Sequence, residues 1–355
     1  MHDKPFVIGI TGNIASGKSV VRNYLANTGA YTIDADLTAQ DTYLPGLPAW
    51  YEILDEFGDD LKMSDGQINR SKLGRIVFSD PSRLERLEEI VHPRVTEAIL
   101  KQIDKCERRV LVIEAIKLIE SGITAHCDQV WTVAADENLR FQRLVENRGH
   151  TDEVAWNKIR AQSPQEEKFA FSDRVIWTNN SFQEGYQQTM QALHDLELPL
   201  CHAIEKDNFT ITSLREEDFD WLISMAGEQA SEYWNHERIY QLLGVKNVPT
   251  IRLDDKPLQC QRLSTRQTLS LLTNQYPINS EQLSNHESID LLESWLKGAY
   301  QLLIVPQNIK TSKEAWQEGF LPGQDGADHC SRESYEIFLK ENGLMPGEVW
   351  IKLVR

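Results

Sequence analysis

The sequence predicts an α/β chain: a parallel sheet with helices on both faces, followed by a second α+β domain. Three observations carry this. Short apolar runs alternate with helical patterns from residue 6 to residue 196, the arrangement of parallel strands joined by crossover helices. The first run opens directly into a glycine-rich loop and then a helix. The rhythm breaks over residues 196–208 and a different pattern follows.

Residues 6–10, FVIGI, are apolar and rich in branched side chains, as a strand buried on both faces must be. The loop leads into SVVRNYLANTG, residues 19–29, a helix closed by Gly29. YTIDAD, residues 31–36, reads as a second strand ending in carboxylates, and residues 47–61 have helical spacing. Residues 69–106 read as two or three helices interrupted near Pro81 and Pro93, since proline lacks an amide hydrogen and clashes with the preceding turn. RRVLVIEAI (108–116) and CDQVWTVAA (127–135) supply the third and fourth strands. Helices are predicted over 137–149 and 151–162, a fifth strand over 173–179 and a last helix over 181–196.

LELPLCHAIEKDN, residues 196–208, places a boundary, with a first domain over 1–197, a linker over 198–208 and a second domain over 209–355. Beyond it the reading is a strand at 209–214, a helix at 216–234 and a less regular middle. A helix near 286–298, a strand at 300–306, a helix near 331–341 and a strand at 348–355 complete it.

The net charge is −17, with 22 basic against 31 acidic residues up to residue 200 and 15 against 23 after it. No basic stripe of the kind that tracks phosphate backbones is present, which argues against a nucleic-acid binder. The five cysteines are scattered and odd in number, favouring reduced thiols and a cytoplasmic location over a disulfide framework. The start MHDKPFVIGITG lacks the apolar core of a leader, and no stretch approaches 18 apolar residues, so no membrane association is expected.

The segment between the first strand and first helix carries the chemistry. Gly12, Asn13, Ile14, Ala15, Ser16, Gly17, Lys18 and Ser19 spell GxxxxGK[ST], with Val20 continuing the helix. Glycines let successive N–H groups curl around a phosphate. Lys18 reaches the β- and γ-phosphates, Ser19 offers a hydroxyl to Mg²⁺, and the helix points its positive end at the anion. The bland alternative, a glycine turn beside an exposed lysine, does not require this strand–loop–helix setting. ATP with Mg²⁺ is the expected ligand. GTPases, ATPases and small kinases share the loop. No NKxD-type guanine-reading segment is found, whereas Glu114 stands at the end of an apolar strand, where motor ATPases need an Asp or Glu, so that reading stays open. Asp34 and Asp36 end the second strand on the side where parallel sheets bind ligands. A carboxylate there takes a proton from a hydroxyl or holds Mg²⁺ through water; alone, it would read as a helix cap or turn residue.

These residues resemble dephospho-coenzyme A kinase. GITGNIASGKSVV, IDAD, INRSKLGRIVFSDPSRLERLEEIVHPRV and IRAQSPQEEKFAFSDRVIWTN follow that family's order over residues 6–195. The resemblance implies a P-loop kinase-type sheet with a helical lid and acceptor region, and ATP-dependent phosphorylation of the ribose 3′-hydroxyl of dephospho-coenzyme A. It implies Asp36 as general base, with Lys18, Arg143 and Arg148 balancing the charge of the transferring phosphoryl group. It places Asp34, Arg75, His92 and Glu120 toward the acceptor, with Gln162 and Asn179 toward the adenine end. Two features depart from the family. Asn13 and Ala15 replace loop glycines, and the segment usually written PLLFE is IKLIE at residues 116–120, bringing Lys117 to the expected acceptor wall. Two other readings stay open: a P-loop kinase for another hydroxyl acceptor, and a non-catalytic nucleotide sensor whose second domain binds a protein partner.

The second domain resembles a GNAT acyltransferase fold in its opening strand and helix and in its closing SYEIFLKENGLMPGEVWIKLVR. The R/Q-x-x-G-x-G/A loop that would hold acetyl-coenzyme A is not found, which implies a degenerate version. Tyr335 is its candidate acid, with a packed helix aromatic as the plainer reading.

Overall fold

The computed structural model describes residues 4–198, 204–206, 209–225, 235–245, 248–253, 256–266, 269–276, 302–306, 321–322 and 349–353. Five strands, β1 (Phe6–Thr11), β2 (Tyr31–Asp34), β3 (Val110–Glu114), β4 (Gln129–Ala134) and β5 (Arg174–Trp177), form a parallel sheet in the order β2-β3-β1-β4-β5. β1 is central, so the loop after it opens where the strand order reverses, the usual ligand crevice of such sheets. Register aligns the strand ends there: Ile10 pairs with Glu114, and Asp34 pairs with Glu114.

Side chains alternate across the sheet, as the strand repeat requires. Val7, Ile33, Leu111 and Ile113 face one core, shared with Ile53, Phe57, Ile90, Val95 and Ile99. Ile8, Ile10, Val110, Val112 and Trp131 face the other, shared with Val21, Leu25 and Leu193. The first core is closed by α3 (Pro48–Phe57) and α5 (Pro81–Lys105). The second is closed by α1 (Lys18–Asn27) and α9 (Phe182–His194). Both faces of the sheet are covered, as predicted.

Two local readings are corrected. Pro93 does not divide its segment, because α5 runs unbroken from Pro81 to Lys105. Pro93 is exposed, so water can serve the carbonyl it leaves unbonded. The buried series Ile90, Val91, Val95, Ile99 and Ile103 runs past it, and that packing holds the helix together. The second strand ends at Asp34 and not at Asp36. Asp34 caps α2 (Ala35–Thr42), its Oδ1 accepting the Leu37 N–H at 3.0 Å. Asp36 therefore stands in the first turn of a helix. Along the chain follow α4 (Arg70–Phe78), α6 (Glu137–Gln142), α7 (Asp152–Arg160) and α8 (Glu166–Phe169).

Beyond residue 200 the described strands form a second, mixed sheet. β6 (Ile204–Lys206), β7 (Phe209–Ser213), β8 (Pro249–Leu253), β9 (Lys256–Arg266), β10 (Leu269–Tyr276), β11 (Leu302–Pro306), β12 (Leu321–Pro322) and β13 (Val349–Leu353) lie in the order β12-β13-β11-β10-β9-β8-β7-β6. β10 and β11 are parallel and the other pairs antiparallel. The strands expected at 209–214, 300–306 and 348–355 are present. The middle, read as irregular, instead holds β8, β9, β10 and a helix. The helix expected at 216–234 is described only as α10 (Phe219–Met225), joined by α11 (His236–Leu243). The helices expected near 286–298 and 331–341, and Tyr335 with them, lie outside the described residues.

Candidate active site

The phosphate loop is built by backbone that most residues avoid. Gly12 has φ 146°, Ala15 φ 59° and Gly17 φ 95°. Gly12 is required sterically as well: a Cβ there would lie 2.2 Å from the Val133 carbonyl oxygen. Ala15 occupies a left-handed position at a cost of about 1 kcal/mol, where the family pattern has glycine. Asn13, the other departure, is buried and donates from Nδ2 to the Ser163 carbonyl at 2.8 Å. Gln162 Oε1 accepts the Ile14 N–H at 2.7 Å. Residues 162–163 thus pin the outer edge of the loop, a contact that a glycine at position 13 cannot make.

Lys18, the first residue of α1, is buried and donates from Nζ to the carbonyls of Gly12 at 2.9 Å and Asn13 at 3.1 Å. Burial pushes its ammonium below the ordinary value, against the pull of Glu114 and Asp36 and with the help of Arg148 and Lys168. Ser19 Oγ donates to Glu114 Oε1 at 2.9 Å. Glu114 Oε2 is buried without a hydrogen-bond donor. Arg22 Nη1 lies 3.0 Å from it but gives its hydrogen bond to Asp34 Oδ2 at 2.8 Å. Asp34 therefore has two partners, its helix and Arg22.

Asp36 opens onto the same cleft. Burial raises its carboxyl first, the Asp34 charge adds to this, Lys18 opposes it and Glu114 adds again, leaving it at about 6. Asp36 is exposed and lines the cleft, and desolvation by the protein around it is still the leading cause.

The lid arginines play different parts. One turn of π-helix, Arg143–Asn147, follows α6. In an α-helix, Arg148 would sit about 140° round from Arg143; the wider turn brings residues five apart together. Arg143, Asn147 and Arg148 all line the cleft. Arg143 is tied down, donating to the Ala15 carbonyl at 3.1 Å, Thr178 Oγ1 at 3.0 Å and the Thr178 carbonyl at 2.5 Å. Thr178 Oγ1 in turn donates to the Ser16 carbonyl at 2.7 Å. Arg148 is exposed, and its charge helps lower the Lys18 ammonium.

The cleft holds about 460 Å³, within the usual range of ligand pockets. Lys18, Ser19, Asp34, Asp36, Glu114, Arg143 and Arg148 meet there, and Val20, Thr178, Asn180, Ser181, Phe182 and Gly185 line it as well. The other residues read from sequence stand outside its lining. Arg75 is exposed on α4, reaching only the Ser71 carbonyl at 3.4 Å. His92 is half-buried in the middle of α5 and caps nothing. Glu120 Oε1 accepts from the buried Lys168 at 2.8 Å. Lys117 is bound to Glu88 of α5 and is not among the cleft-lining residues, although its neighbour Ile116 is. Asn179 Oδ1 accepts the Asp136 N–H at 2.8 Å. Sequence reasoning missed Arg22, Lys168 and Thr178, whose partners lie far along the chain.

The oxygen donors fit a hard cation. Ser19 and Glu114, hydrogen-bonded to each other, line one cleft with Asp34 and Asp36. Among the described residues, no group of three or more His, Cys, Asp or Glu could hold a metal alone. Mg²⁺ takes one or two protein oxygens and the rest from phosphates and water, and Ser19 and Glu114 are the residues here that could supply them. Among the described residues, no helix is long and apolar enough to cross a membrane.

A family model described as dephospho-CoA kinase matches residues 6–184. The dephospho-CoA kinase of Shouchella clausii is 39% identical over 189 residues, 52% of this chain and 96% of that protein. The dephospho-CoA kinase of Carboxydothermus hydrogenoformans is 38% identical over 190 residues, 53% of this chain and 92% of that protein. The crystal structure of TT1252 from Thermus thermophilus is 31% identical, with a TM-score of 0.50 over 55% of this chain and 100% of its own.

Proposed function

The chain belongs to the dephospho-CoA kinase family and is an ATP-dependent phosphotransferase of coenzyme A synthesis; we propose that its chemistry runs through Asp36. The observation that carries this is a carboxyl raised to about 6 in the cleft that holds Lys18 and Ser19. A base titrating just below neutral pH is ionised in use yet still basic enough to take a proton.

Asp36 accepts the proton of the ribose 3′-hydroxyl as its oxygen bonds to the γ-phosphorus. The bond from that phosphorus to the β,γ-bridging oxygen breaks, and ADP leaves with the electron pair. The loop amides and the first turn of α1 hold the phosphates. Lys18 follows the charge onto the leaving oxygen. Arg148, exposed in the cleft lining, is the cation of the lid that balances the equatorial oxygens. Arg143 is a positioning residue, fixing the lid to Ala15 and Thr178. Ser19 and Glu114 would hold Mg²⁺, which supplies charge neutralisation to the β- and γ-phosphates. Asp34 positions Asp36 through the cap of α2 and raises its basicity. The capture of Lys117 by Glu88 supports dephospho-coenzyme A as acceptor, since the altered 116–120 segment adds no free cation to the cleft.

The test is ADP release from Mg·ATP with and without dephospho-coenzyme A, beside Asp36→Asn. Acceptor-dependent release that falls by about 10²- to 10⁴-fold in the variant is expected. Release that ignores the acceptor would refute the reading.

A further inference from the structure

The family match ends at residue 184, yet the first helices beyond it pack against the kinase site. α11 spans two elements that line the cleft. At its C-terminal end, Asn23 and Asn27 of α1 donate to the carbonyls of Gly244 and Leu243, both at 2.9 Å, and Asn27 Oδ1 accepts the Val248 N–H at 2.6 Å. Those carbonyls are groups that a helix end leaves without intrahelical partners. At its N-terminal end, Glu237 accepts the N–H groups of Phe182 at 2.8 Å and Gln183 at 3.3 Å. These are the first two amides of α9, and Ser181 Oγ takes the third, from Glu184, at 3.1 Å. A carboxylate at that position also meets the positive end of the α9 dipole.

The space between is filled by rings. Tyr24 meets Tyr186 edge-on with centroids 5.3 Å apart, Tyr186 meets Tyr240 at 5.2 Å, and Tyr240 meets Phe219 at 5.0 Å. Tyr24 and Phe219 are fully buried and Tyr240 nearly so. The Tyr24 hydroxyl donates to the Phe182 carbonyl at 3.1 Å. Packing is tight at Gly244, where a Cβ would lie 2.7 Å from Val20 Cγ1.

Val20 on α1, with Phe182 and Gly185 on α9, also line the cleft, and the buried Tyr24 ring backs them. With phosphates on the loop, which Val20 directly follows, these walls are where the nucleoside of ATP would lie. We infer that α11 is a positioning element of the kinase, bridging α1 and α9 so as to set the width of the nucleoside end of the cleft. This rests on the kinase reading above. It makes nucleotide affinity depend on a segment outside the kinase family's own length.

The test uses the full chain and needs no turnover. Mg·ADP and inorganic tripolyphosphate are titrated calorimetrically into wild type, Glu237→Ala and Asn23→Ala, with thermal unfolding recorded for each. Weakening of ADP by about threefold to tenfold, the range a lost capping contact allows, with tripolyphosphate unchanged, is the expected result. ADP affinity unchanged in both variants, or both ligands weakened equally, would overturn the inference, because a merely structural role predicts one of those. Acceptor-dependent ADP release by wild type is measured separately, so loss of the kinase reading remains distinguishable from loss of this one.

Discussion

Lowering the pH from 7 to 5 probes the base more sharply than a substitution alone. On the proposed mechanism activity needs Asp36 without its proton, and burial with the Asp34 charge pushes its carboxyl up to about 6 where 3.8 is ordinary. A group at about 6 is roughly 90% ionised at pH 7 and roughly 10% at pH 5; one at the ordinary value would still be roughly 95% ionised at pH 5. The expected outcome is a fall in kcat/KM of about tenfold over those two pH units, read by coupled detection of ADP at saturating Mg²⁺. The γ-phosphate of ATP also titrates in this region, but no substitution in the protein moves its intrinsic pKa. Asp34→Asn therefore serves as the control. The asparagine keeps an oxygen for the Leu37 N–H and removes the negative charge that helps raise Asp36, so the acid limb must shift to lower pH. A profile flat to pH 5, or a limb that stays fixed in Asp34→Asn, would refute the assignment of Asp36 as the titrating base.

Gly12→Ala places a Cβ 2.2 Å from the Val133 carbonyl at φ 146°, where neither side can yield without moving backbone. It should cost about 2–3 kcal/mol, seen as a fall in Tm of about 5 °C or more together with lost ADP binding. An unchanged Tm would mean the loop does not adopt this conformation. Lys117→Ala breaks only its ion pair with Glu88, in which both side chains remain partly exposed. Such pairs contribute about 0–1 kcal/mol, so the KM for dephospho-coenzyme A should change less than about twofold; a larger rise would return Lys117 to the acceptor wall.

Much of the site was legible because its signals are local. The phosphate loop needs glycine at backbone angles other residues resist, and it must join a buried strand to a helix; Gly12, Gly17 and Lys18 say this within eight residues. The carboxylates of IDAD were legible as a cleft feature for the same reason, since parallel strands end at the ligand side. The second helix, ADLTAQDT, was not, because it has little apolar contrast and its cap, Asp34, is equally a strand end. Pro93 misled because proline's local preference was weighed without the buried stripe that carries α5 past it. In the region after residue 235, β8, β9 and β10 were read as irregular because their polar and apolar residues do not alternate cleanly.

The sequence by itself determined the layered α/β plan, the phosphate loop, the position of Asp36 near it and the kinase family. Only the tertiary structure decided how these parts are tuned. Ser19 meets Glu114 across 95 positions, Asn13 meets Ser163 across 150, Ser16 meets Thr178 across 162 and Asn27 meets Val248 across 221. No periodicity or motif encodes such pairs. The first three exist because strand order brings distant strand ends to one edge of the sheet, and the last because α11 packs against α1; burial then raises Asp36 and hydrogen bonds fix Arg143.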